Sequence, residues 1–303
     1  MANKHGVVTF VIILCGIMLA VPVTTGFSKS PVTAVSYRSS LTAHAVRMPR
    51  GLVLRSAAAL VEDQKTGELL VQKQATAVVP IASITKLMTA MVVLDADEKL
   101  QESLTIETSD VDFLRHSHSR LPVGTELTRK EALLIALMAS DNRSAHAVGR
   151  TYPGGLAACI NAMNAKARSL KLFETHFDDT TGLSSGNVSS ARDLVRLVDA
   201  AYQYPLIREY TTCKQATIHS GRRVLEFRNT NRLIQNPRWE IGLSKTGFTG
   251  EAGRCLVMQA QVAQRPLLII LLDSQGKLTR VGDANRIKKW LEGPAPDTRS
   301  RKG

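Results

Sequence analysis

The order of its hydrophobic patterns constrains this chain most. Strand-like runs stand at both ends of its central region, and helical runs fill the space between. Ala57 to Val61 and Glu68 to Val71 are β-favouring runs around Asp63-Gln64-Lys65-Thr66-Gly67, which reads as a hairpin turn. Cys255 to Val262 and Leu267 to Leu272 form a second pair around Ala263-Gln264-Arg265-Pro266. Between the pairs, Ser83 to Leu94 is apolar with helical spacing. Thr128-Arg129-Lys130-Glu131 is a capping box opening the run Ala132 to Met138. Pro153-Gly154-Gly155 breaks the chain before a helical stretch, Leu156 to Leu170. Ser190 and Asp193 supply a hydroxyl cap and a first-turn acid for a helix reaching about Tyr202. A last helix is expected over Asp283 to Leu291. The simplest packing is an α+β fold with one antiparallel sheet built from both chain ends. Terminal helices would cover one face, and the central helical block the other. Nothing divides residues 53–292 into independent halves.

Composition narrows the class. The chain has 303 residues, 44% hydrophobic and 21% charged, which excludes disorder, collagen and a small disulfide scaffold. Lys4 precedes an apolar run, Val7 to Val21, that breaks at Pro22, and small Thr24 and Gly26 follow at signal-peptidase spacing. Residues 1–26 therefore read as a secretory signal, too short to span a bilayer comfortably. Cys15 follows Leu14 inside the apolar run, which is the wrong setting for a lipid-attachment site. The expected product is exported to the periplasm, with no membrane association after cleavage. Residues 27–52 are rich in Ser, Thr, Val and Arg without a period, and read as a linker or extended arm. Residues 293–303 read as a disordered tail. Cys159, Cys213 and Cys255 allow at most one disulfide, and three small buried side chains is the favoured reading.

Several function classes drop out. The net charge of +13 is strongest on the flanks, as with Lys29, Arg38, Arg47 and Arg50 in residues 27–52, and reads as a solvated surface. Aromatics are only 5%, so a nucleic-acid surface with base stacking is not expected. There is no H-E-x-x-H, no cysteine pair at metal spacing and no phosphate loop. His116 and His118 read as surface imidazoles. No metal or organic cofactor is implied.

Three short motifs carry chemistry. Ser83-Ile84-Thr85-Lys86 puts a hydroxyl and an amine three residues apart at a helix start, hence on one face. The helix N-terminus favours negative charge at Ser83, and a neutral lysine can take the serine proton. Ser274-Gln275-Gly276-Lys277 has the same spacing in a turn after a strand, so the motif alone decides nothing. Ser140-Asp141-Asn142 follows the Ala132–Met138 helix and reads either as a polar helix end or as a second hydroxyl and an amide entering a cleft. Lys245-Thr246-Gly247 leads toward the strand beginning near Cys255. It offers a positive charge, a hydroxyl and a residue that lets a ligand backbone approach. Its duplicate, Lys65-Thr66-Gly67, lies in the hairpin turn ahead of Ser83.

Order and context separate the motifs from their decoys. S-x-x-K, S-D-N and K-T-G are the set shared by penicillin-binding proteins and class A β-lactamases. Here they occur once in the right order, opening a helix, inside the helical block and beside a C-terminal strand. From about Ala58 to Leu291 the chain resembles the D-alanyl-D-alanine carboxypeptidase family of low-molecular-mass penicillin-binding proteins, and within it the D-alanyl-D-alanine endopeptidase branch. Ser119-Arg120-Leu121-Pro122-Val123-Gly124-Thr125, Tyr152-Pro153-Gly154-Gly155 and Asn187 to Leu194 carry the likeness, with Lys245 to Thr249 and Ala252 to Met258. Membrane-attached members carry a further β-rich domain and an amphipathic C-terminal helix. The shorter endopeptidase type is expected here.

The resemblance implies a β-lactamase/transpeptidase-like fold and a serine peptidase acting on peptidoglycan stem peptides and cross-links. It implies Ser83 as nucleophile, Lys86 as its base and Ser140 as a proton relay. Asn142 would orient the acyl chain, and Lys245 and Thr246 would bind the substrate carboxylate. Gly247 admits the substrate backbone, and the N–H groups of Ser83 and Phe248 would form the oxyanion hole. Lys86 must then be substantially neutral, through burial and a nearby positive Lys245. β-Lactams are implied as covalent inhibitors. The glutamate with which class A β-lactamases activate the deacylating water usually sits in a Glu-x-x-Leu-Asn loop, and none lies between Asn142 and Lys245. Asp178-Asp179-Thr180-Thr181-Gly182-Leu183 there resembles the peptidases instead. The alternatives are a carboxypeptidase trimming stem peptides and a non-catalytic peptidoglycan-binding protein.

Overall fold

A five-stranded antiparallel sheet, order β2-β1-β11-β10-β9, joins the two ends of the chain. The computed structural model describes residues 48–221 and 223–293. In chain order these form β1 (Ala58–Asp63), β2 (Leu69–Lys73), β3 (Val79–Pro80), a 3-10 turn Ala82–Ile84 and α1 (Thr85–Asp95). Then come β4 (Ser103–Thr105), β5 (Glu126–Thr128), α2 (Arg129–Met138), α3 (Asn142–Arg150) and α4 (Gly155–Ser169). β6 (Val188–Ser189), α5 (Ala191–Tyr202), α6 (Pro205–Thr212), β7 (Gln215–Ser220) and β8 (Arg223–Arg228) follow. β9 (Glu240–Thr249), β10 (Gly253–Val262), β11 (Arg265–Ser274) and α7 (Thr279–Glu292) complete the order. The expected signal segment 1–26, most of the 27–52 arm and nearly all of the 293–303 tail lie outside the described residues.

The continuous apolar run Leu267 to Leu272 is explained by a sheet buried on both faces. Alternate residues serve different cores. Leu268, Ile270 and Leu272 of β11, with Leu60 of β1 and Val257 of β10, join the core shared with the central helices. Leu267, Ile269 and Leu271 face the second core with Leu256 and Met258, where Ala284 and Ile287 of α7 cover them. Leu52 and Leu54 also pack there, with Trp239. The C-terminal helix thus covers its face as expected, but among the described residues an irregular segment, not a helix, assists it from the N-terminal side. Among these residues no helix is long and apolar enough to cross a membrane.

Local chemistry sets the element ends. Thr128 Oγ1 accepts from Glu131 N (3.2 Å) and Glu131 Oε2 accepts from Thr128 N (2.7 Å), the reciprocal cap that starts α2. Ser190 Oγ accepts from Asp193 N (3.1 Å) at the start of α5. The β10–β11 turn is only Ala263 and Gln264, both with positive φ (49° and 61°), the form that matches strand twist. Arg265 and Pro266, read as turn, instead open β11 opposite Val262 and Gln261. Helix α1 is buried from Thr85 to Val93, so it runs through the core with helices packed around it. Cys159 and Cys255 are buried, Cys213 is half-buried, and all three are free thiols.

Candidate active site

The three motifs meet where α1 begins, where α2 hands over to α3, and along β9 at the sheet edge. Ser83 sits in the 3-10 turn rather than in α1 itself. Its neighbour Ala82 has φ of 47°, and Ser140 has φ of 61°. Left-handed backbone at residues with a Cβ costs about 1 kcal/mol each, and two such residues border this one site. Neighbouring backbone holds the turn. A Cβ at Gly182 would lie 2.0 Å from Ala82 O, and one at Gly247 would lie 2.8 Å from Ile81 O and 3.2 Å from Ser83 N. Only glycine allows both approaches. The second also lays β9 directly against the Ser83 amide.

Lys86 is the hub. It is 1% exposed. Its Nζ lies 2.9 Å from Ser83 Oγ, 2.7 Å from Asn142 Oδ1 and 2.6 Å from Thr181 O. Asn142, the first residue of α3, donates from Nδ2 to Ser117 Oγ (2.8 Å), which fixes its oxygen toward the lysine. Burial pushes the Lys86 amine down to about 8, against the opposing pull of the Asp179 and Asp141 carboxylates. A neutral amine has two N–H bonds and one lone pair. With the hydrogens given to Asn142 and Thr181, the lone pair faces Ser83 Oγ.

Lys245 is equally buried. Its Nζ donates to Ser140 Oγ (2.8 Å) and to Thr246 O (3.0 Å). Burial, then the charges of Lys86 and Arg280, push its amine well below the ordinary lysine range. Burial is the larger cause at both amines. Thr246 Oγ1 shares a hydrogen with Thr230 Oγ1 (2.6 Å). Arg280 of α7 donates to Gly247 O (3.0 Å). Phe248 is 56% exposed, with the Arg254 guanidinium stacked on its ring at 4.2 Å.

All eight expected residues thus gather at one place, linked as Ser83–Lys86–Asn142 and Ser140–Lys245–Thr246. The decoys do not join them. Lys65 is exposed in the β1–β2 turn, where its N–H donates to Asp63 Oδ1 (2.9 Å). Ser274 is buried against Ser56 Oγ (2.8 Å). His116 and His118 are exposed, and no metal-binding group of His, Cys, Asp and Glu occurs among the described residues. Sequence reasoning gave no role to Asp179. Its carboxylate accepts from the amides of Thr181, Gly182 and Ser184, each at 2.6 Å. Burial raises its pKa, but these bonds outweigh burial and hold it below the ordinary carboxylate value. The Asp178–Leu183 stretch was the available signal.

A family model described as D-alanyl-D-alanine carboxypeptidase matches residues 43–276. The chain belongs to this family. Among its relatives, the D-alanyl-D-alanine endopeptidase of Pseudomonas aeruginosa is 47% identical over 272 residues, 89% of this chain and 87% of that protein. The D-alanyl-D-alanine endopeptidase of Escherichia coli is 44% identical over 241 residues, 79% of this chain and 78% of that protein. A Streptomyces DD-transpeptidase crystal structure matches with a TM-score of 0.73 at 27% identity, covering 78% of this chain and 97% of that one. The family's chemistry is that of serine DD-peptidases.

Proposed function

We propose that this chain is a serine peptidase that hydrolyses D-alanyl peptide bonds in peptidoglycan, acting on cross-links as a D-alanyl-D-alanine endopeptidase. Ser83 Oγ attacks the D-alanyl carbonyl as Lys86 Nζ takes its proton. The N–H groups of Ser83 and Phe248 stabilise the oxyanion. Ser140, poised by Lys245, returns a proton to the leaving amine. Asn142 orients the acyl chain, and Thr246 and Lys245 hold the carboxylate beside the scissile bond. Water then cleaves the acyl-enzyme. The observation that carries the reading is the buried Lys86 amine 2.9 Å from Ser83 Oγ with its other hydrogens already committed.

The substrate lies outside the cytoplasm, and the Lys4 to Gly26 pattern supplies an export address to the periplasm. The catalytic domain is residues 53–292, between a 27–52 arm and a 293–303 tail. β-Lactams acylate Ser83 and stay, because the opened ring remains tethered where a cut peptide's amine departs. Digestion of purified cross-linked and uncross-linked muropeptides, with products identified by mass, tests the assignment. Conversion of cross-linked dimers to monomers is expected. Release of D-alanine from uncross-linked pentapeptides alone would make it a carboxypeptidase. Turnover of neither, without any penicillin adduct, would leave a binding protein.

A further inference from the structure

Beyond the Lys245-Thr246-Gly247 segment lies a cavity of about 420 Å³ whose wall includes Thr230, Arg232, Arg254, Lys277 and Arg280. Four of its lining side chains are cationic and none is acidic. Among the described residues, none of the four cations has an ion-pair partner. Arg254 Nε is buried without a hydrogen-bond partner. Burial and the neighbouring Arg254 charge push the Arg280 guanidinium below its ordinary value. The cavity adjoins the candidate site through Thr230 on Thr246 (2.6 Å), Arg280 on Gly247 O (3.0 Å) and Arg254 on the Phe248 ring (4.2 Å). Four gathered cations without an acid make a strongly positive concavity that an anion would complete.

The two candidate reactions differ in their leaving groups. A carboxypeptidase releases D-alanine, whose single carboxylate sits next to the new amine. Cutting a cross-link releases a second stem peptide, which carries further carboxylates on its acidic residues and at its own C-terminus. We propose that this cavity is a leaving-peptide subsite that takes a second carboxylate of the departing stem peptide, with Arg232 and Lys277 as specificity-determining residues. This rests on the peptidase reading above and names the part of the substrate that would favour cross-links. Arg232 and Lys277 are exposed, whereas Arg280 bonds Gly247 O and Arg254 stacks on Phe248.

The test compares Arg232→Gln/Lys277→Gln with the charge-keeping Arg232→Lys/Lys277→Arg. The substrates are a purified cross-linked muropeptide dimer and an uncross-linked pentapeptide, with penicillin acylation as a further reference. Two exposed ion pairs correspond to about a five- to tenfold loss. That loss is expected in kcat/KM for the dimer, carried by KM and steepest at low salt. Pentapeptide hydrolysis and acylation should stay within about twofold of wild type, and the charge-keeping pair should retain dimer cleavage. Equal losses on dimer and pentapeptide, or no loss on the dimer, would overturn the proposal. If the unmodified enzyme is acylated by penicillin but cleaves neither muropeptide, the peptidase reading fails on its own. The subsite is then decided by calorimetric binding of a free stem tetrapeptide to Ser83→Ala. Binding that disappears with Arg232→Gln/Lys277→Gln supports it, and binding unchanged by that pair refutes it.

Discussion

Replacing Asp179 with asparagine separates the electrostatic part of the site from its architecture. Thr181 links the two: its N–H goes to Asp179 Oδ1 (2.6 Å) and its carbonyl accepts from Lys86 Nζ (2.6 Å). The Asp179 carboxylate holds the Lys86 amine up against burial, leaving it at about 8. Without that charge the amine should titrate lower, by about one unit for the loss of a nearby opposite charge. At pH 7 the neutral fraction of Lys86 would then rise from roughly a tenth to about a half. The acylation rate by penicillin, followed from pH 5.5 to 9.5, should keep its rising limb but with a midpoint about one unit lower. The change also has a structural cost. Asp179 Oδ2 accepts from Ser184 N (2.6 Å), and the asparagine amide cannot accept there. One stranded N–H costs about 2 kcal/mol, or roughly 5 °C in Tm for a domain of this size. A lower Tm with an unmoved midpoint would refute the electrostatic role. A midpoint moved to higher pH would show the sign to be wrong.

Gly182→Ala should cut acylation at least tenfold and destabilise by about 2–3 kcal/mol, because its methyl would meet Ala82 O at 2.0 Å from a residue with φ of 84°. Unchanged acylation would show that the 179–184 loop does not hold Ser83. Lys245→Ala should severely reduce acylation by releasing Ser140, whereas Lys65→Ala should be silent and change stability by no more than about 0.5 kcal/mol. Comparable acylation losses in the two variants would contradict the assignment of the tripeptides. Ser274→Ala should leave acylation intact while lowering stability by about 1–2 kcal/mol, since it strips a partner from buried Ser56. Loss of acylation there would point to the wrong S-x-x-K motif.

The sequence revealed most where side chains speak at fixed spacing. An i, i+3 pair gave Ser83 and Lys86, and reciprocal hydroxyl–carboxylate spacing gave the start of α2. The unbroken apolar run Leu267–Leu272 marks a strand, and its lack of alternation matches burial on both faces. Other elements were hidden for physical reasons. No strand is expected from the sequence over β9; the strand expected from Cys255 is its neighbour β10, and β9 escapes notice because Glu240, Gly242, Ser244 and Lys245 interrupt any apolar run. The β7–β8 hairpin is exposed on both sides over most of its length, so it has no alternation to detect. Ser140-Asp141-Asn142, which in sequence fits either a polar helix end or a cleft, proves to start helix α3: Asp141 caps it by accepting from Ser144 N (2.9 Å). Thr181 acts through a backbone carbonyl, and Arg280 reaches Gly247 from α7. Neither contact has a local pattern, because each depends on how distant segments pack.

The central claim is that Ser83, with Lys86 as its base, forms the covalent intermediate. A short pulse of penicillin on the full chain, followed by intact-mass measurement over time and peptide mapping of the adduct, tests it most directly. One penicilloyl group on Ser83, persisting long after free drug is removed and absent from Ser83→Ala, is the expected result. An adduct on another residue, or a rapid return to the unmodified mass with catalytic loss of drug, would contradict it.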